Sequence, residues 1–389
     1  MTLRIAIIGS RGIPARYGGF ETFAEEFGTR LAALGHIVYV SCEGGVNPRI
    51  PSFKGVQLFY FPVKPFYRIL YETLYDIYSL TRSSLLCDCV IMLGYGAGAF
   101  FFIPKLFGKK LISNLDGIEW RRRRYNLAER AILFLSEKLA VWFSDVVIAD
   151  SRAIQKFIAA TTKKTPHYIP YGANVPAFRS WDPASINNVL TEKNAAVTLD
   201  QLSYFLVIAR LEPCNNIEAI IEGFLRANVQ AKLIVVGNFS SRRYKQAVDK
   251  VAAQYDKSGS VVFAGAVYEK DLLSMLRYNC IAYIHGHSAG GTNPSLLEAM
   301  VCKALVIAHD NEFNKEVCAN EAIFFRDADD LAPIIRLVAA HRDEYAEMTT
   351  NALQRVKNHY SWDTIVDNYE QLIFDLIGRF KDKAKSHSV

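Results

Sequence analysis

Residues 283–306 read Y-I-H-G-H-S-A-G-G-T-N-P-S-L-L-E-A-M-V-C-K-A-L-V. The pattern predicts an apolar strand over residues 280–284, a small polar turn with two glycines, and then a helix. Asn293 is a favourable N-cap, and Pro294 suits the first helical position, where an N–H group would have no helical acceptor. Free backbone N–H groups and the positive end of the helix dipole then face the turn, so the segment predicts a site for an anion such as phosphate.

The predicted helix has one apolar stripe and one acidic residue beside it. Leu297, Met300, Val301 and Ala304 follow the i, i+3, i+4, i+7 spacing of a buried face. Glu298 lies off that stripe, one turn from the start of the helix. Its carboxylate can accept hydrogen bonds from a sugar diol beside the phosphate, or it is only a favourable acidic residue near a helix N-terminus.

The composition is that of a soluble globular protein. With 389 residues the chain is long enough for about two domains, and 51% hydrophobic and 22% charged residues exclude wholesale disorder. The net charge of +6 suits a phosphorylated ligand or an anionic membrane surface, and it is too dispersed to favour nucleic acid. Seven scattered cysteines indicate reduced thiols and no zinc site. No window reaches ~18 uninterrupted apolar residues, so we expect a cytoplasmic protein.

The N-terminal segment predicts a β-α-β unit with a long first turn. An apolar strand over residues 4–9 is followed by a helix over 21–34 and a second strand over 37–41. The turn lacks G-x-G-x-x-G, which disfavours a dinucleotide site. Gly18 and Gly19 let the backbone come close to a ligand beside the cations of the same loop, or they only shape the turn.

Two further stretches are rich in charged residues, and each has both a functional and a purely structural interpretation. Aromatic and basic residues crowd residues 53–86, which indicates either a membrane interface or an ordinary helix with an aromatic core face. The loop after the strand over 110–113 carries Asp116 and Glu119 beside four arginines at 121–124. Loops at the carboxyl ends of strands bind ligands in open α/β sheets, so these arginines meet a pyrophosphate or an anionic lipid, or they are simply solvated.

The second half of the chain repeats the alternation of strands and helices. After a polar segment over residues 173–201, strands are predicted over 204–209, 232–237, 261–263 and 280–284, each followed by a helix. Two such series predict two doubly wound domains. We place an N-terminal domain at residues 1–178, completed by the C-terminal helix at 362–389, and a C-terminal domain at 179–361.

The first strand of the second half delivers Arg210 and Leu211 to the predicted ligand edge, where an arginine can grip a diphosphate. With these residues the chain resembles the retaining glycosyltransferases of family 4. Their second domain carries R-L-x-x-x-K and Glu-x7-Glu motifs. Arg210, Leu211 and Glu298 match this pattern, whereas Asn215 stands in place of the lysine and Gly290 in place of the first glutamate.

Two histidines at the end of the predicted strand are candidates to replace the missing glutamate. His285 and His287 are equally well explained as structural residues.

A narrower resemblance rests on three longer motifs. They are G-S-R-G-I-P-A-R-Y-G-G-F-E-T at 9–22, N-L-D-G-I-E-W at 114–120 and H-S-A-G-G-T-N-P-S-L-L-E-A-M at 287–300. Together they resemble a subgroup that contains rhamnosyltransferases of bacterial polysaccharide assembly.

The resemblance implies an α/β protein of the GT-B fold, with two doubly wound Rossmann-like domains facing a central cleft. It implies a metal-independent retaining glycosyltransferase without a cofactor, which moves a sugar, L-rhamnose from dTDP-rhamnose, to a polyprenyl-diphosphate-linked saccharide. The implied location is the cytoplasm, with a peripheral position on the inner face of the cell membrane and no nucleic acid partner.

The resemblance also assigns roles to individual residues. The catalytic set is Asp116, Arg210 and Glu298. The donor-binding set is Gly18, Gly19, Arg210, Asn215, Gly290, Gly291, Thr292, Asn293, Ser295, Leu296 and Glu298. The acceptor-side set is Arg16, Tyr17, Asp116 and Glu119.

Two alternatives share the predicted fold. A nucleotide-sugar epimerase also uses two such domains, and a non-catalytic nucleotide-sugar-binding subunit would explain the missing lysine and glutamate. A nicotinamide oxidoreductase is disfavoured, because the fingerprint glycines are absent.

Overall fold

The computed structural model describes residues 1–15, 18–45, 49–115, 117–121, 126–178, 180, 182, 184, 187, 203–255, 259–288 and 290–386. The chain forms two compact units: one comprises Met1–Gly172 with Trp362–Val389, and the other comprises Ala173–Ser361. The division therefore lies earlier in the chain than the predicted boundary after residue 178. Most of the polar segment at residues 173–201, which the sequence suggests as the interdomain linker, lies outside the described residues.

Within the described part of the first unit, one sheet has eight strands in the order β3-β4-β2-β1-β5-β6-β7-β8. All neighbours are parallel except β3 and β4. The strands are β1 Arg4–Ile8, β2 Ile37–Cys42, β3 Ser52–Phe53, β4 Val56–Tyr60, β5 Cys89–Leu93, β6 Lys110–Leu115, β7 Val146–Ala149 and β8 His167–Tyr168. The helices are α1 Gly19–Ala33, α2 Arg68–Leu86, α3 Ile103–Leu106, α4 Leu127–Phe143, α5 Arg152–Thr161 and the C-terminal helix Trp362–Ser386.

The aromatic stretch of the first unit is divided between core and surface. Phe61, Tyr71 and Tyr75 form a buried cluster, and the Tyr75 hydroxyl donates to the Ser10 carbonyl at 2.7 Å. These rings support the interpretation of this stretch as an ordinary helix with an aromatic core face. Tyr67, by contrast, is exposed on the outer side of the same stretch.

The C-terminal helix is fastened to the first unit by aromatic side chains. The Tyr369 ring lies 4.7 Å from that of Phe27 and 5.6 Å from that of Phe23, centroid to centroid. Its hydroxyl accepts a hydrogen bond of 3.0 Å from the side-chain amide of Asn114 in β6. Trp362, at the start of the helix, contacts Phe23 as well. Distant parts of the sequence thus share one core.

In the second unit, the described residues form a six-stranded sheet in the order β11-β10-β9-β12-β13-β14, with every neighbour parallel. The strands are β9 Tyr204–Ile208, β10 Lys232–Val236, β11 Val261–Gly265, β12 Ala282–His285, β13 Val306–His309 and β14 Ile323–Phe325. The helices are α6 Ile217–Ala227, α7 Arg242–Tyr255, α8 Lys270–Asn279, α9 Pro294–Val301, α10 Glu312–Cys318, α11 Ala328–Ala340 and α12 Ala346–His359.

Alternate residues of the second sheet pack against helices on its two faces. Phe205 and Ile284 share one core cluster with residues of α6, α7 and α11. Tyr204 and Tyr283, one position earlier in β9 and β12, point to the other face, where their hydroxyls reach α8 and α9. Burial on both faces explains why these strands read as continuous apolar runs.

The strand order places a switch point in each unit. The chain leaves β9 for β10 on one side, whereas β12 lies on the other side of β9. In the first unit, β2 and β5 flank β1 in the same way. Ligands of open α/β sheets bind outside the carboxyl ends of the strands at such points. The loops after β9 and β12, and the loop after β1, therefore lie where ligands of this fold class bind.

Replacing Tyr369 with alanine should remove a fully buried ring and leave the Asn114 amide without its partner. We expect a loss of about 3–5 kcal/mol in the free energy of unfolding of the first unit, measured by urea denaturation. Asp367→Ala, at an exposed position of the same helix, is the matched control and should change stability by less than about 0.5 kcal/mol. Equal effects of the two variants would contradict this packing.

Candidate functional site

The predicted N-cap of α9 is present. The Asn293 side-chain oxygen accepts a hydrogen bond of 3.0 Å from the Ser295 N–H, and Pro294 occupies the first turn. The Leu296 and Leu297 N–H groups donate to the Asn293 carbonyl at 3.1 and 3.3 Å. This corrects the expectation of free N–H groups: the first N–H groups of α9 are already bonded to their own cap.

The turn before α9 explains one departure from the family pattern. Gly290 has a φ of 132°, a backbone conformation that L side chains rarely adopt. A glutamate at this position would be strained, so the glycine is required by this turn. Gly291 and Thr292 follow it and are buried.

Glu298 is part of an ion pair that the sequence does not reveal. Its Oε2 accepts a short hydrogen bond from Nη2 of Arg277, which lies in the last turn of α8. The Arg277 side chain is 5% exposed and that of Glu298 is 38% exposed. Oε1 of Glu298 makes no bond to the described residues. The pair orients the carboxylate and leaves one oxygen for a further donor.

Hydrogen bonds join α9 to both strands at the switch point. The Tyr283 hydroxyl lies 2.7 Å from the Ser295 hydroxyl, and each lies within reach of the Ile208 carbonyl, at 3.1 and 3.2 Å respectively. Ser295 therefore serves to position α9 against β9 and β12.

Arg210 follows β9 and has a half-exposed side chain. Its Nη2 lies 3.6 Å from Oε1 of Glu212, whose side chain is almost fully buried. This carboxylate offsets part of the arginine's charge but leaves most of the guanidinium open to solvent. Arg210 is thus a cation at the carboxyl end of β9, as the sequence predicts.

Asn215, at the position of the family lysine, ties two loops together. Its side-chain N–H donates to the Arg210 carbonyl at 2.6 Å, and its Oδ1 bonds to Nδ1 of His287 at 2.8 Å. The neighbouring Asn216 donates to the Gly286 carbonyl at 2.7 Å. A buried asparagine with these partners is a scaffold residue, because its polar atoms are used within the protein.

His285 is buried and neutral. It is 4% exposed, and its Nε2 has no hydrogen-bond partner among the described residues. Burial, with a smaller contribution from His309, lowers the pKa of His285 from 6.5 to about 3. His285 therefore fits the structural interpretation. His287 is committed to Asn215, so neither ring offers an evident substitute for a carboxylate.

In the first unit, two carboxylates of α1 hold the long turn after β1. Glu21 accepts from the Arg11 N–H at 2.9 Å, and Glu25 accepts from the Ala15 N–H at 2.7 Å. Gly18 is the N-cap of α1, and Gly19 begins the helix. Sequence analysis missed both glutamates, although their i, i+4 spacing after two glycines was visible.

The acceptor-side predictions fall largely outside the described residues. Arg16, Tyr17 and Asp116 lie outside them. Glu119 is described: its N–H donates to the Tyr95 hydroxyl at 2.5 Å, within a short turn of helix Glu119–Arg121.

The described residues contain neither a metal-binding cluster nor a membrane-spanning helix. No cluster of three or more histidine, cysteine or acidic side chains there has an arrangement that could hold a metal ion. None of the helices in the described part of the chain has the length and apolar character needed to cross a membrane.

Comparisons with known proteins agree with this architecture. Residues 2–174 match a domain of unknown function, DUF1972, and residues 191–355 match the glycosyl transferases group 1. An uncharacterized glycosyltransferase of Methanocaldococcus jannaschii, MJ1069, is 22% identical over 402 residues, covering 92% of this chain and 95% of that protein. Family model and fold together support a group 1 glycosyltransferase.

Two solved structures match nearly the whole chain. Sucrose-phosphate synthase from Thermosynechococcus elongatus gives a TM-score of 0.80 at 17% identity, covering 97% of this chain and 100% of that one. Anabaena Alr3699/HepE, solved in complex with UDP-glucose, gives 0.74 at 16% identity, covering 96% and 100%. The predicted α/β class with two Rossmann-like domains is confirmed, and the chain has the GT-B fold.

Gly286→Ala should disturb the loop pair at the switch point. A Cβ at this position would lie 2.1 Å from the Asn215 carbonyl oxygen and 2.7 Å from Cδ1 of Ile220. We expect a loss of about 1–3 kcal/mol in the free energy of unfolding, measured by urea denaturation. At Gly96 a Cβ would meet nothing within 4 Å, so Gly96→Ala is the control. An unchanged stability of Gly286→Ala would contradict the close approach.

We expect the buried His285 to lower the free energy of unfolding of the protein at acidic pH. The folded protein keeps it neutral down to about pH 3, whereas the unfolded chain takes up a proton below about pH 6.5. Since the unfolded state binds the extra proton, stability falls as the pH drops from 6.5 toward 3, by up to ~1.4 kcal/mol per pH unit. In His285→Phe this contribution is gone, so its free energy of unfolding should fall less steeply between pH 6 and 5.

The same pair of proteins supplies the control for this pH experiment. Between pH 7 and 8 the histidine is neutral in both states, so the stabilities of the two proteins should differ by a constant amount. Curves that stay parallel down to pH 5 would contradict a buried neutral His285.

Proposed function

We propose that this glycosyltransferase is a retaining enzyme that moves L-rhamnose from dTDP-rhamnose to a polyprenyl-diphosphate-linked saccharide in cell-surface polysaccharide assembly. The observation that carries the transfer of a sugar from a nucleotide is the set of groups at one edge of the second sheet. A half-exposed arginine, an oriented carboxylate and the start of α9 all lie at the carboxyl ends of β9 and β12.

The diphosphate of the donor would bind where positive potential is available. Arg210 offers a planar set of donors that fits phosphate oxygens, and the dipole of α9 favours negative charge at its start. Both groups offset the charge that develops on the leaving diphosphate as the glycosidic bond breaks. The Ser295 N–H would also donate to the diphosphate, once a phosphate oxygen replaces the side-chain oxygen of Asn293.

Glu298 would accept the ribose hydroxyls of the donor. Its Oε2 is held by Arg277, and Oε1 is available, so a diol meets a carboxylate that is already oriented. Family resemblance gives Asp116 the role of orienting or deprotonating the acceptor hydroxyl. The retaining course of the reaction follows from the same resemblance.

The identity of the donor is supported indirectly. Anabaena Alr3699/HepE, of the same fold, has been solved with UDP-glucose, which supports a nucleotide sugar as the donor class. The three long motifs shared with rhamnosyltransferases favour dTDP-rhamnose within that class. A lipid-diphosphate acceptor would place the enzyme peripherally on the inner face of the membrane, in keeping with its net charge of +6.

A thermal-shift screen against dTDP-, UDP- and GDP-sugars identifies the donor, since a ligand that binds only the folded state raises the unfolding temperature. We expect a shift with dTDP-rhamnose and smaller shifts with UDP- and GDP-sugars. A transfer assay with a polyprenyl-diphosphate saccharide should release dTDP only when the acceptor is present. Release of nucleotide without acceptor, or epimerised donor, would contradict the proposed transfer. Tight donor binding without turnover would favour a non-catalytic subunit.

Arg210→Ala should weaken binding of the donor diphosphate by about 10- to 100-fold, because a charge-assisted contact is lost. Calorimetric titration with dTDP measures the effect. The matched control is Arg242→Ala, which removes an exposed arginine from α7 of the same unit and should leave affinity unchanged. Equal affinities of the two variants would contradict the assignment.

A test substitution at Glu298 has to keep the hydrogen bond from Arg277. Glu298→Ala would leave a buried guanidinium unpaired, at a cost on the order of 3 kcal/mol. Glu298→Gln keeps an acceptor oxygen for Arg277, removes the charge and replaces the oxygen that would face the diol with an NH2 donor, so it separates sugar binding from folding.

A further inference from the structure

Helix α4 exposes several large apolar side chains and buries two polar ones. The side chains of Ser136 and Glu137 are buried, whereas Ile132, Leu135 and Trp142 are exposed by 66%, 58% and 72%. An amphipathic helix normally buries its apolar stripe and exposes its polar residues. Here the buried Glu137 is satisfied, since it accepts from the Trp120 ring N–H at 2.8 Å. The outer side chains have no such structural explanation.

The exposed apolar residues lie on one face. Positions 128, 132, 135, 139 and 142 recur every three or four residues, and all carry alanine, leucine, isoleucine or tryptophan. The only charged residues of α4 are Glu129, Arg130, Glu137 and Lys138, and they fall outside this stripe. The solvent side of α4 is therefore a continuous apolar strip about 20 Å long.

The strip continues onto the segment around α3. Phe102 lies 5.8 Å from Phe143, whose ring stacks on that of Trp142 at 6.0 Å. Leu106 and Phe107, in the last turn of the same segment, are exposed as well. Two adjacent elements thus present apolar side chains together, which is more than the scattered exposure usual on a soluble protein.

Cations border this patch at the Trp142 end. Lys164 donates from Nζ to the Trp142 carbonyl at 3.2 Å, and Lys105 is exposed beside Leu106. Burial lowers the pKa of Lys164, and the charge of Lys105 lowers it further, so the two charges lie near each other. The carboxylate of Asp145 accepts from Lys110 and from the Leu111 N–H.

We propose that this patch, the outer stripe of α4 with Phe102, Lys105, Leu106, Phe107 and Lys164, docks the protein onto an anionic lipid bilayer. The apolar side chains enter the headgroup region, where tryptophan is favoured, and the lysines meet lipid phosphates. The proposal rests on the membrane location in the proposed function and names the surface that makes the contact. It is independent of the donor and of the reaction.

A bilayer fits this patch better than a second copy of the chain. A two-fold contact buries the same patch of each copy, and this patch contains no carboxylate that could pair with Lys105 and Lys164 of the other copy. A lipid surface offers negative charge to both lysines and apolar depth to Trp142 at once. The aromatic residues at 53–86 are a weaker candidate, because Phe61, Tyr71 and Tyr75 are used in the core.

Co-sedimentation of the full chain with vesicles tests the proposal. At low salt we expect binding to equimolar phosphatidylcholine and phosphatidylglycerol, and weaker binding to phosphatidylcholine alone. Leu135→Glu and Trp142→Glu should each reduce binding by about tenfold or more, because a charge replaces an inserted apolar side chain. Lys105→Glu should reduce binding to the anionic vesicles by roughly fivefold or more.

Two exposed leucines elsewhere serve as matched controls. Leu74→Glu changes α2 of the same unit, and Leu337→Glu changes α11 of the other unit; both variants should bind vesicles like the parent protein. Loss of binding in Leu74→Glu with no loss in Leu135→Glu would move the contact to the aromatic stretch and overturn the proposal. Absence of any vesicle binding by the parent protein would also overturn it.

Two further measurements keep the outcomes distinct. A parent protein that is dimeric by sedimentation velocity, and monomeric as Leu135→Glu, would identify a second copy as the occupant and overturn the proposal. A nucleotide thermal shift preserved in all variants shows that they fold. Vesicle binding that follows the expected pattern without any nucleotide binding would contradict the proposed function and leave the docking surface standing.

Discussion

The parallel pairing of β9 with β12 determines where the candidate site of the second unit lies. Because the strands run in the same direction and are neighbours, the loop that carries Arg210 and the turn that leads to α9 emerge at one edge. The hydrogen bonds of Tyr283, Ser295 and Asn215 then fix these loops to each other. An arginine and a carboxylate that are far apart in sequence are thereby positioned on one scaffold.

The sequence predicts most of the elements, because their signals are local. The sequence predicts a strand over residues 89–93 and a helix over residues 127–143, and both have these bounds in the structure. The strand is a continuous apolar run. The helix is preceded by its N-cap, Asn126, which forms a capping box with Glu129. The strand predicted over 280–284 begins two residues later in the structure, as Ala282–His285, since its apolar run extends beyond its sheet pairing.

The side-chain pairings that sequence analysis missed depend on contacts between distant segments. Nothing in the sequence pairs Arg277 with Glu298, because the pairing arises from how α8 and α9 lie on the sheet. The same holds for Asn215. In the sequence it stands where the family pattern has a lysine, whereas in the structure its side chain links two loops by hydrogen bonds. The sequence alone does not predict the backbone conformation of Gly290, since a glycine permits a positive φ but does not prove one.

The cap of α9 has a consequence for which molecules can be admitted. The side-chain oxygen of Asn293 accepts a hydrogen bond from the Ser295 N–H. A neutral hydroxyl or water offers an acceptor no stronger than this amide and gains little by replacing it. A phosphate oxygen carries charge and forms a hydrogen bond roughly twice as strong, so it can displace the amide. If the donor phosphate binds at this position, as we propose, the asparagine competes with the ligand for the Ser295 N–H and discriminates against free sugars.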